Sequence, residues 1–291
     1  MVRHLPAKWG GQCLAVESIS QQEVRRLVES VPFWFHSIDV GHGITTPGKK
    51  SADVQRAELE SLRIPDVTGK TVLDIGAFDG FYSFEAERRG AASVTALDHY
   101  VWSMDLEAHD RHWQESRARG EVPRAYQEMP YWKPSELPGK RGFDTAHELR
   151  RSGVRTVVAD FMEMDLEALG TFDVVLFLGV LYHMQNPLES LKRVAAVTRE
   201  VAVIETQAMA VLGLEDRAVC QFFESNELNY DVSNWWAPNR LALEGMCRAA
   251  GFKRVDTIAR HKARPVDHLR RARRMGRPTI NHYRAVVHAW K

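Results

Sequence analysis

Apolar positions fall in short runs separated by stretches of helical spacing, and the clearest unit runs from Thr71 to Asp98. Thr71 to Ile75 has strand length, Gly76 and Gly80 bracket a tight turn, Phe81 to Arg89 is spaced as a helix, and Ser93 to Leu97 is a second apolar run closed by Asp98. The spacing predicts a β-α-β unit. After Asp173 the run to Leu178 is wholly apolar, as a strand buried on both faces of a parallel sheet requires. Further strands are predicted at Arg155 to Ala159, Val201 to Ile204, Phe252 to Ala259 and Ile280 to Trp290, seven in all. Helices are predicted over residues 18–30 with Ser18 or Ser20 as N-cap, Ala52 to Leu62, Phe143 to Arg151, and Pro238 to Ala250 ahead of Gly251, with another starting at Pro187. The alternation is that of an α/β domain.

The pattern lapses in three places. Residues 1–64 read as a helical and lid segment ahead of the main domain at 65–291, and the aromatic stretch PFWFHSIDVGHGITTPGKK within it is suited to fold over a ligand. Two insertions are expected on the carboxyl edge of the sheet, at about 99–142 and 207–238. The first holds Trp102, Trp113, Tyr126, Tyr131 and Trp132, which suit a substrate wall or the packing of a long connection equally. The second holds Tyr230, Trp235 and Trp236, which suit a flat or cationic substrate or a hydrophobic hinge.

Candidate chemistry gathers at the ends of the strands. The loop after the first strand of a β-α-β unit opens backbone N–H groups and a helix N-terminus at the sheet edge, where a nucleotide-like ligand sits. Asp98, 24 residues beyond Asp74, is where such a unit presents a carboxylate to ribose hydroxyls. Gly76-Ala-Phe-Asp-Gly80 lacks the Gly-x-Gly-x-x-Gly of a nicotinamide enzyme. Asp160 ends the third strand, where it also suits a helix N-cap, and Tyr182 and His183 follow the fourth, facing the crevice of an open parallel sheet. His183 is the candidate base, with a pocket-shaping histidine as the rival reading.

Composition narrows the classes. A hydrophobic content of 44% with 26% charged residues is that of a globular chain. Cys13, Cys220 and Cys247 are scattered without metal-ligand spacing, so no metal site is expected and the thiols read as reduced, in a cytoplasmic protein. No apolar run suits a signal peptide or a membrane span. The formal net charge is +1, but eight Arg or Lys lie between Arg260 and Arg277 against the single acid Asp267. That run is a solvated loop, a patch for a small anion, or a contact for RNA.

The loop LDIGAFDGFYSFEAERRGA, with an acid ahead of its glycines and Phe78 where a middle glycine is common, resembles motif I of the class I S-adenosylmethionine (SAM) methyltransferases. With FDVVLFLGVLYHMQNPLESLKRV, WWAPN and the final HYRAVV, the chain is similar more narrowly to the tRNA wobble-uridine methyltransferase-like family. The resemblance implies a Rossmann-like doubly wound, mostly parallel seven-stranded sheet with an antiparallel last strand, and SAM as cofactor, leaving S-adenosylhomocysteine. It implies cofactor contacts from Asp74, Gly76, Ala77, Phe78 and Gly80, then from Asp98 and His99, from Asp160 and Phe161, and from Leu178 and Gly179. On the substrate side it points to His36, Tyr182 and His183 for catalysis, with His36, Tyr230, Trp235, Trp236 and Arg284 for binding. A carboxymethyl-transferring relative holds the extra carboxylate of carboxy-SAM with a lysine, the tyrosine of LYH and an arginine. Tyr182 and Arg284 stand at two of these places, and His36 stands at the lysine's. The expected reaction is methylation of a small-molecule hydroxyl, with an amine next, in specialised metabolism; tRNA is the alternative acceptor, and a silent SAM-binding module or a nicotinamide enzyme the rival classes. Oligomeric state has no signature in the sequence.

Overall fold

The computed structural model describes residues 19–123, 126–211, 213–259 and 280–291. Cys13 and the basic run at 260–277 therefore lie outside the described residues. Seven strands, β1 (Thr71–Ile75), β2 (Ser93–Asp98), β3 (Arg155–Val158), β4 (Phe172–Leu178), β5 (Thr198–Val211), β8 (Arg254–Ala259) and β9 (Ile280–Trp290), form one sheet in the order β3-β2-β1-β4-β5-β9-β8. β1 to β5 pair in parallel, and β9 runs antiparallel to both β5 and β8. A short hairpin, β6 (Cys220–Phe222) with β7 (Trp236–Pro238), stands apart.

Alternation along the central strands supplies two cores. Val72, Val94, Val174, Leu176, Val201 and Val203 face one layer with Trp34, Phe84 and Phe143. Leu73, Ile75, Leu97, Val175, Phe177, Ala202 and Ile204 face the other with Leu191 and Leu243. Burial on both faces explains the unbroken apolar run of β4. The chain leaves β1 toward β3 on one side and returns through β4 and β5 on the other, so the strand order reverses between β1 and β4. Such a reversal is where an open parallel sheet places its ligand crevice.

Helices begin where the caps require. Ser20 accepts from Glu23 N–H ahead of α1 (Gln21–Glu29), Ser51 from Val54 N–H ahead of α2 (Ala52–Leu62), and Pro187 opens α7 (Pro187–Val197). α3 (Phe81–Arg88) follows the glycine loop and α5 (Arg141–Arg150) precedes β3. α8 (Arg240–Ala249) starts later than its expected Pro238, because Asn239 is the N-cap, accepting from Ala242 N–H, and Pro238 belongs to β7.

Three features differ from the pattern reading. β5 extends well past Ile204, because the eleven residues of β9 pair with it from Val201↔Trp290 to Val211↔Ile280. The second insertion accordingly begins after Val211. The first insertion contains α4 (Leu106–Arg119), capped by Asp105 and by a left-handed Gly120. α6 (Leu166–Leu169) is one turn, capped by Asp165. Asp160 takes Met162 N–H at 2.8 Å and so closes a tight turn over 160–164. The aromatic segment after Pro32 shares the first core through Trp34, Ile38, Val40 and Ile44. Among the described residues no helix is long and apolar enough to cross a membrane.

Candidate active site

The glycine loop is built by backbone bonds across the β1–β2 edge. Gly76 and Ala77 N–H both donate to Leu97 O, at 2.8 and 3.2 Å, and Gly80 N–H donates to Ala77 O at 2.8 Å. Gly76 has φ +80°, and a Cβ there would lie 2.6 Å from Val180 Cγ2. The left-handed backbone and this approach both exclude a side chain. Phe78 is left-handed too, at φ 53°. It is held by Asp98, whose Oδ2 accepts its N–H at 3.0 Å, and by Trp102, whose Nε1–H donates to its carbonyl at 2.6 Å. Its ring turns onto the N-terminal segment, stacking on Phe35 at 4.9 Å.

Asp79, the residue between Phe78 and Gly80, fixes that segment to the loop. Its Oδ2 accepts from Phe35 N–H at 3.0 Å and His36 N–H at 2.7 Å, and its Oδ1 lies 2.5 Å from His36 Nδ1. His36 is buried, stacked face on to Phe81 at 5.2 Å and edge on to Tyr82 at 5.7 Å.

Two further acids sit under and beside the loop. Asp74 is buried and bonded by Ser83 Oγ–H at 2.6 Å, so it braces the turn from beneath. Burial pushes its pKa up to about 6, Ser83 opposing and Asp98 adding to the shift. A carboxyl with a raised folded pKa contributes stability that is present below its unfolded value and lost as the pH rises through the folded value. Asp74→Asn is therefore expected to stabilise the chain at pH 8 by about 2–3 kcal/mol, from a shift of about two units at 1.36 kcal/mol each, and to give no gain below about pH 4. Urea unfolding at the two pH values checks this; equal gains at both would refute it. Asp98, at the end of β2, also accepts Val101 N–H at 3.0 Å. Burial raises its carboxyl above the usual range, against the pull of the Phe78 and Val101 N–H groups.

Across the crevice, β4 ends at Leu178 and the chain turns through Gly179, φ +74°, into the single turn Leu181–His183. Gly179 N–H donates to Glu205 O at 3.0 Å, and a Cβ at Gly179 would lie 3.6 Å from Arg284 Nη2 and 4.0 Å from Tyr182 Oη. Arg284 grips Glu205 with Nε and Nη2, one on each carboxylate oxygen, and its guanidinium stacks over the Tyr182 ring at 4.8 Å. His183 Nδ1 lies 3.0 Å from the Ser233 carbonyl and 2.9 Å from its hydroxyl. Tyr100 stacks over the His183 ring at 6.4 Å and adjoins Tyr126 at 4.3 Å and Trp132 at 6.0 Å. Burial lowers the His183 pKa below its ordinary value, with Asp231 opposing, so the ring is poised neutral.

The structure thus brings Leu178, Gly179, Tyr182, His183 and Arg284 to one side of the crevice and Gly76 to Gly80 with Asp98 and His99 to the other. Trp235 joins the first group through its backbone, donating to Tyr182 O at 2.8 Å. Other expected residues lie elsewhere. Trp236 packs on Phe222 and donates to Gln185 O at 3.2 Å. Tyr230 stacks under Arg117 at 4.8 Å in a separate groove of about 320 Å³ with Lys49 and Trp113. The Phe161 side chain is buried in the second core against Phe177. Asp79, Glu205, Ser233 and Asp231 are not singled out by the sequence, although an acid between two loop glycines and an acid at a strand end are both visible there. Among the described residues no three His, Cys, Asp or Glu side chains are placed to hold a metal.

Comparison with known families matches residues 50–257 to the methyltransferase domain. The chain belongs to that family. Its sheet, with the last strand inserted antiparallel between β5 and β8, is the Rossmann-like sheet of the class I SAM-dependent methyltransferases. This methyltransferase domain is 26% identical over 201 residues to the tRNA U34 carboxymethyltransferase of Ectopseudomonas mendocina, covering 66% of this chain and 48% of that protein. To the protein of the same name from Pseudomonas aeruginosa it is 27% identical over 195 residues, covering 64% and 46%. The chain thus spans about half the length of the curated relatives it matches. Among solved structures, the N-terminal domain of EvdMO1 in the presence of S-adenosylhomocysteine and D-fucose shares the fold, with a TM-score of 0.58 at 19% identity over 94% of this chain and 97% of that one.

Proposed function

We propose that this domain transfers a methyl group from SAM to a hydroxyl of a small-molecule acceptor, with His183 receiving the proton. The observation that carries the reading is the position of His183. It follows β4 at the switch point, is held by one ring nitrogen, and borders the aromatic group of Tyr100, Tyr126 and Trp132. The crevice residues suit the cofactor. Gly76 and Gly179 let the backbone turn left-handed close to Val180 and to Arg284, and α3 begins without a side-chain cap. Asp98 stands at the end of β2, beside the loop, where a β-α-β unit presents a carboxylate to ribose hydroxyls. Bound SAM supplies an electrophilic methyl on a sulfonium, attacked in line by the acceptor oxygen. The protein's part is to align the acceptor, exclude water and take its proton. The EvdMO1 domain, solved with a hydroxylated sugar, lends the same direction.

The cofactor is SAM in preference to carboxy-SAM, because Glu205 already occupies the Arg284 fork that a cofactor carboxylate needs. Titration calorimetry with SAM, S-adenosylhomocysteine and carboxy-SAM tests this. SAM is expected to bind the wild type more tightly, and Glu205→Gln to improve carboxy-SAM selectively by about tenfold, the loss of one like-charge contact near 1.4 kcal/mol. Preference for carboxy-SAM by the wild type would reverse the assignment, and failure of all three to bind would remove the cofactor reading altogether.

A second reading, a tRNA wobble uridine as acceptor, is favoured by the names of the relatives and by the basic run at 260–277. It requires affinity for tRNA that falls steeply with salt concentration. A filter-binding series in salt separates the two acceptor classes.

A further inference from the structure

The contacts of His183 continue beyond its own ring. The Ser233 carbonyl, 3.0 Å from Nδ1, can only accept, so Nδ1 carries the hydrogen and the neutral ring is bare at Nε2. The Ser233 hydroxyl lies 2.9 Å from the same nitrogen and 2.5 Å from Asp231 Oδ1. Its proton goes to the carboxylate, which leaves an oxygen lone pair toward Nδ1–H. Asp231 Oδ1 also takes Ser233 N–H at 2.8 Å, so one carboxylate oxygen orients the whole of Ser233. The loop carrying both residues is fixed in turn: Asp231 N–H and Asn234 Nδ2–H donate to Leu228 O at 3.0 and 2.8 Å, and Trp235 N–H to Tyr182 O at 2.8 Å.

We propose that Ser233 and Asp231 are positioning residues that hold His183 in the Nδ1–H form, with Nε2 free to take the acceptor's proton. The proposal rests on the reading of His183 as the base. In the reaction the acceptor oxygen forms a bond to the methyl carbon as the carbon–sulfur bond breaks, the sulfonium becomes a thioether, and the acceptor's proton passes to Nε2 and then to water. The imidazolium that forms has Asp231 one hydroxyl away as its counter-charge. The other charged group acting on it, Arg284 from β9, opposes protonation, and the neighbouring Tyr100 and Tyr182 are neutral phenols, each raised above the ordinary tyrosine range by burial. Without Asp231 the balance tips toward Arg284.

The test uses the full chain, nitrogen-15 labelled and loaded with S-adenosylhomocysteine, and reads the His183 ring in long-range proton–nitrogen spectra. The wild type is expected to show the Nδ1–H tautomer, Asp231→Asn to lower the titration midpoint, and Ser233→Ala to mix the tautomers while Ser233→Thr restores them. With SAM and a panel of sugar and phenol acceptors, Asp231→Asn is expected to lower kcat at least about 10- to 100-fold with KM for SAM unchanged, the range for outer partners that orient a metal-bound histidine. An unchanged unfolding midpoint and S-adenosylhomocysteine affinity show that the variants fold. An Nε2–H ring in the wild type, or a ring indifferent to both substitutions, overturns the proposal. A ring that responds as expected while His183→Asn keeps full turnover leaves the contact standing and removes the base assignment instead.

Discussion

Asp79→Ala is expected to lower the stability of the chain by about 3–5 kcal/mol, the cost of breaking a buried charge-bearing pair from one side, and to weaken S-adenosylhomocysteine binding at least about tenfold. The carboxylate takes three donors, two backbone N–H groups and the His36 ring, and it is almost fully buried. Alanine leaves all three without a partner where water cannot replace it, and each orphaned donor costs about 1–3 kcal/mol. The binding loss follows from position. Asp79 belongs to the loop whose neighbouring residues Gly76, Phe78 and Gly80 shape the crevice, and the segment it anchors carries Phe35, on which the Phe78 ring rests. Asp79→Asn retains an acceptor for the two N–H groups and can turn its amide to the His36 ring, so it is expected to fall between alanine and wild type. Urea unfolding paired with calorimetry measures both effects. A stable Asp79→Ala chain with normal affinity would mean that the segment does not dock on the loop in solution.

What the sequence made legible here is what neighbouring residues decide. The β1-α3-β2 unit shows itself through strand-length apolar runs and two glycines, all within 28 residues. α4 stayed hidden because LEAHDRHWQESRAR is polar on nearly every face and buries only Ser116. The far half of β5 stayed hidden because its partner, β9, lies some 80 residues on, and nothing local marks Gln207 to Val211 as a ladder. The site divides along the same line. Tyr182 and His183 follow from a rule about strand ends, whereas the partner of His36 is 43 residues distant and that of His183 is 50. Within the second insertion, sequence alone gives no reason to choose Ser233 over Tyr230. The choice is made by two successive left-handed residues, Asn229 at φ 58° and Tyr230 at φ 62°, which turn the chain so that Tyr230 meets Arg117 and Ser233 meets His183. Glu205 is a diagonal neighbour of Arg284 on the antiparallel ladder, where Glu205 faces Val286 and Gln207 faces Arg284, and that relation exists only once the register is set.

His183→Asn is expected to reduce kcat by about 10²- to 10⁴-fold, the usual worth of a positioned general base, with S-adenosylhomocysteine affinity unchanged. Asparagine is the informative replacement because its amide N–H can still donate to Ser233, so the loop over 228–235 keeps its anchor while the basic nitrogen is lost. The pH profile carries the second half of the prediction. Burial lowers the His183 pKa, so the neutral ring persists below the ordinary histidine range. In the wild type kcat/KM should therefore rise with pH through a midpoint below about 6.5 and then level off, and in His183→Asn that limb should vanish. The same depressed pKa makes a stability statement of matching sign. A group that is neutral when folded contributes stability present above its unfolded pKa and lost as the pH falls, so the wild type should lose more stability on acidification than the variant does. A variant with full turnover and an intact acidic limb would show that the proton leaves by another route, as it does when the acceptor is an already neutral amine. The acceptor search would then move from hydroxyls to amines.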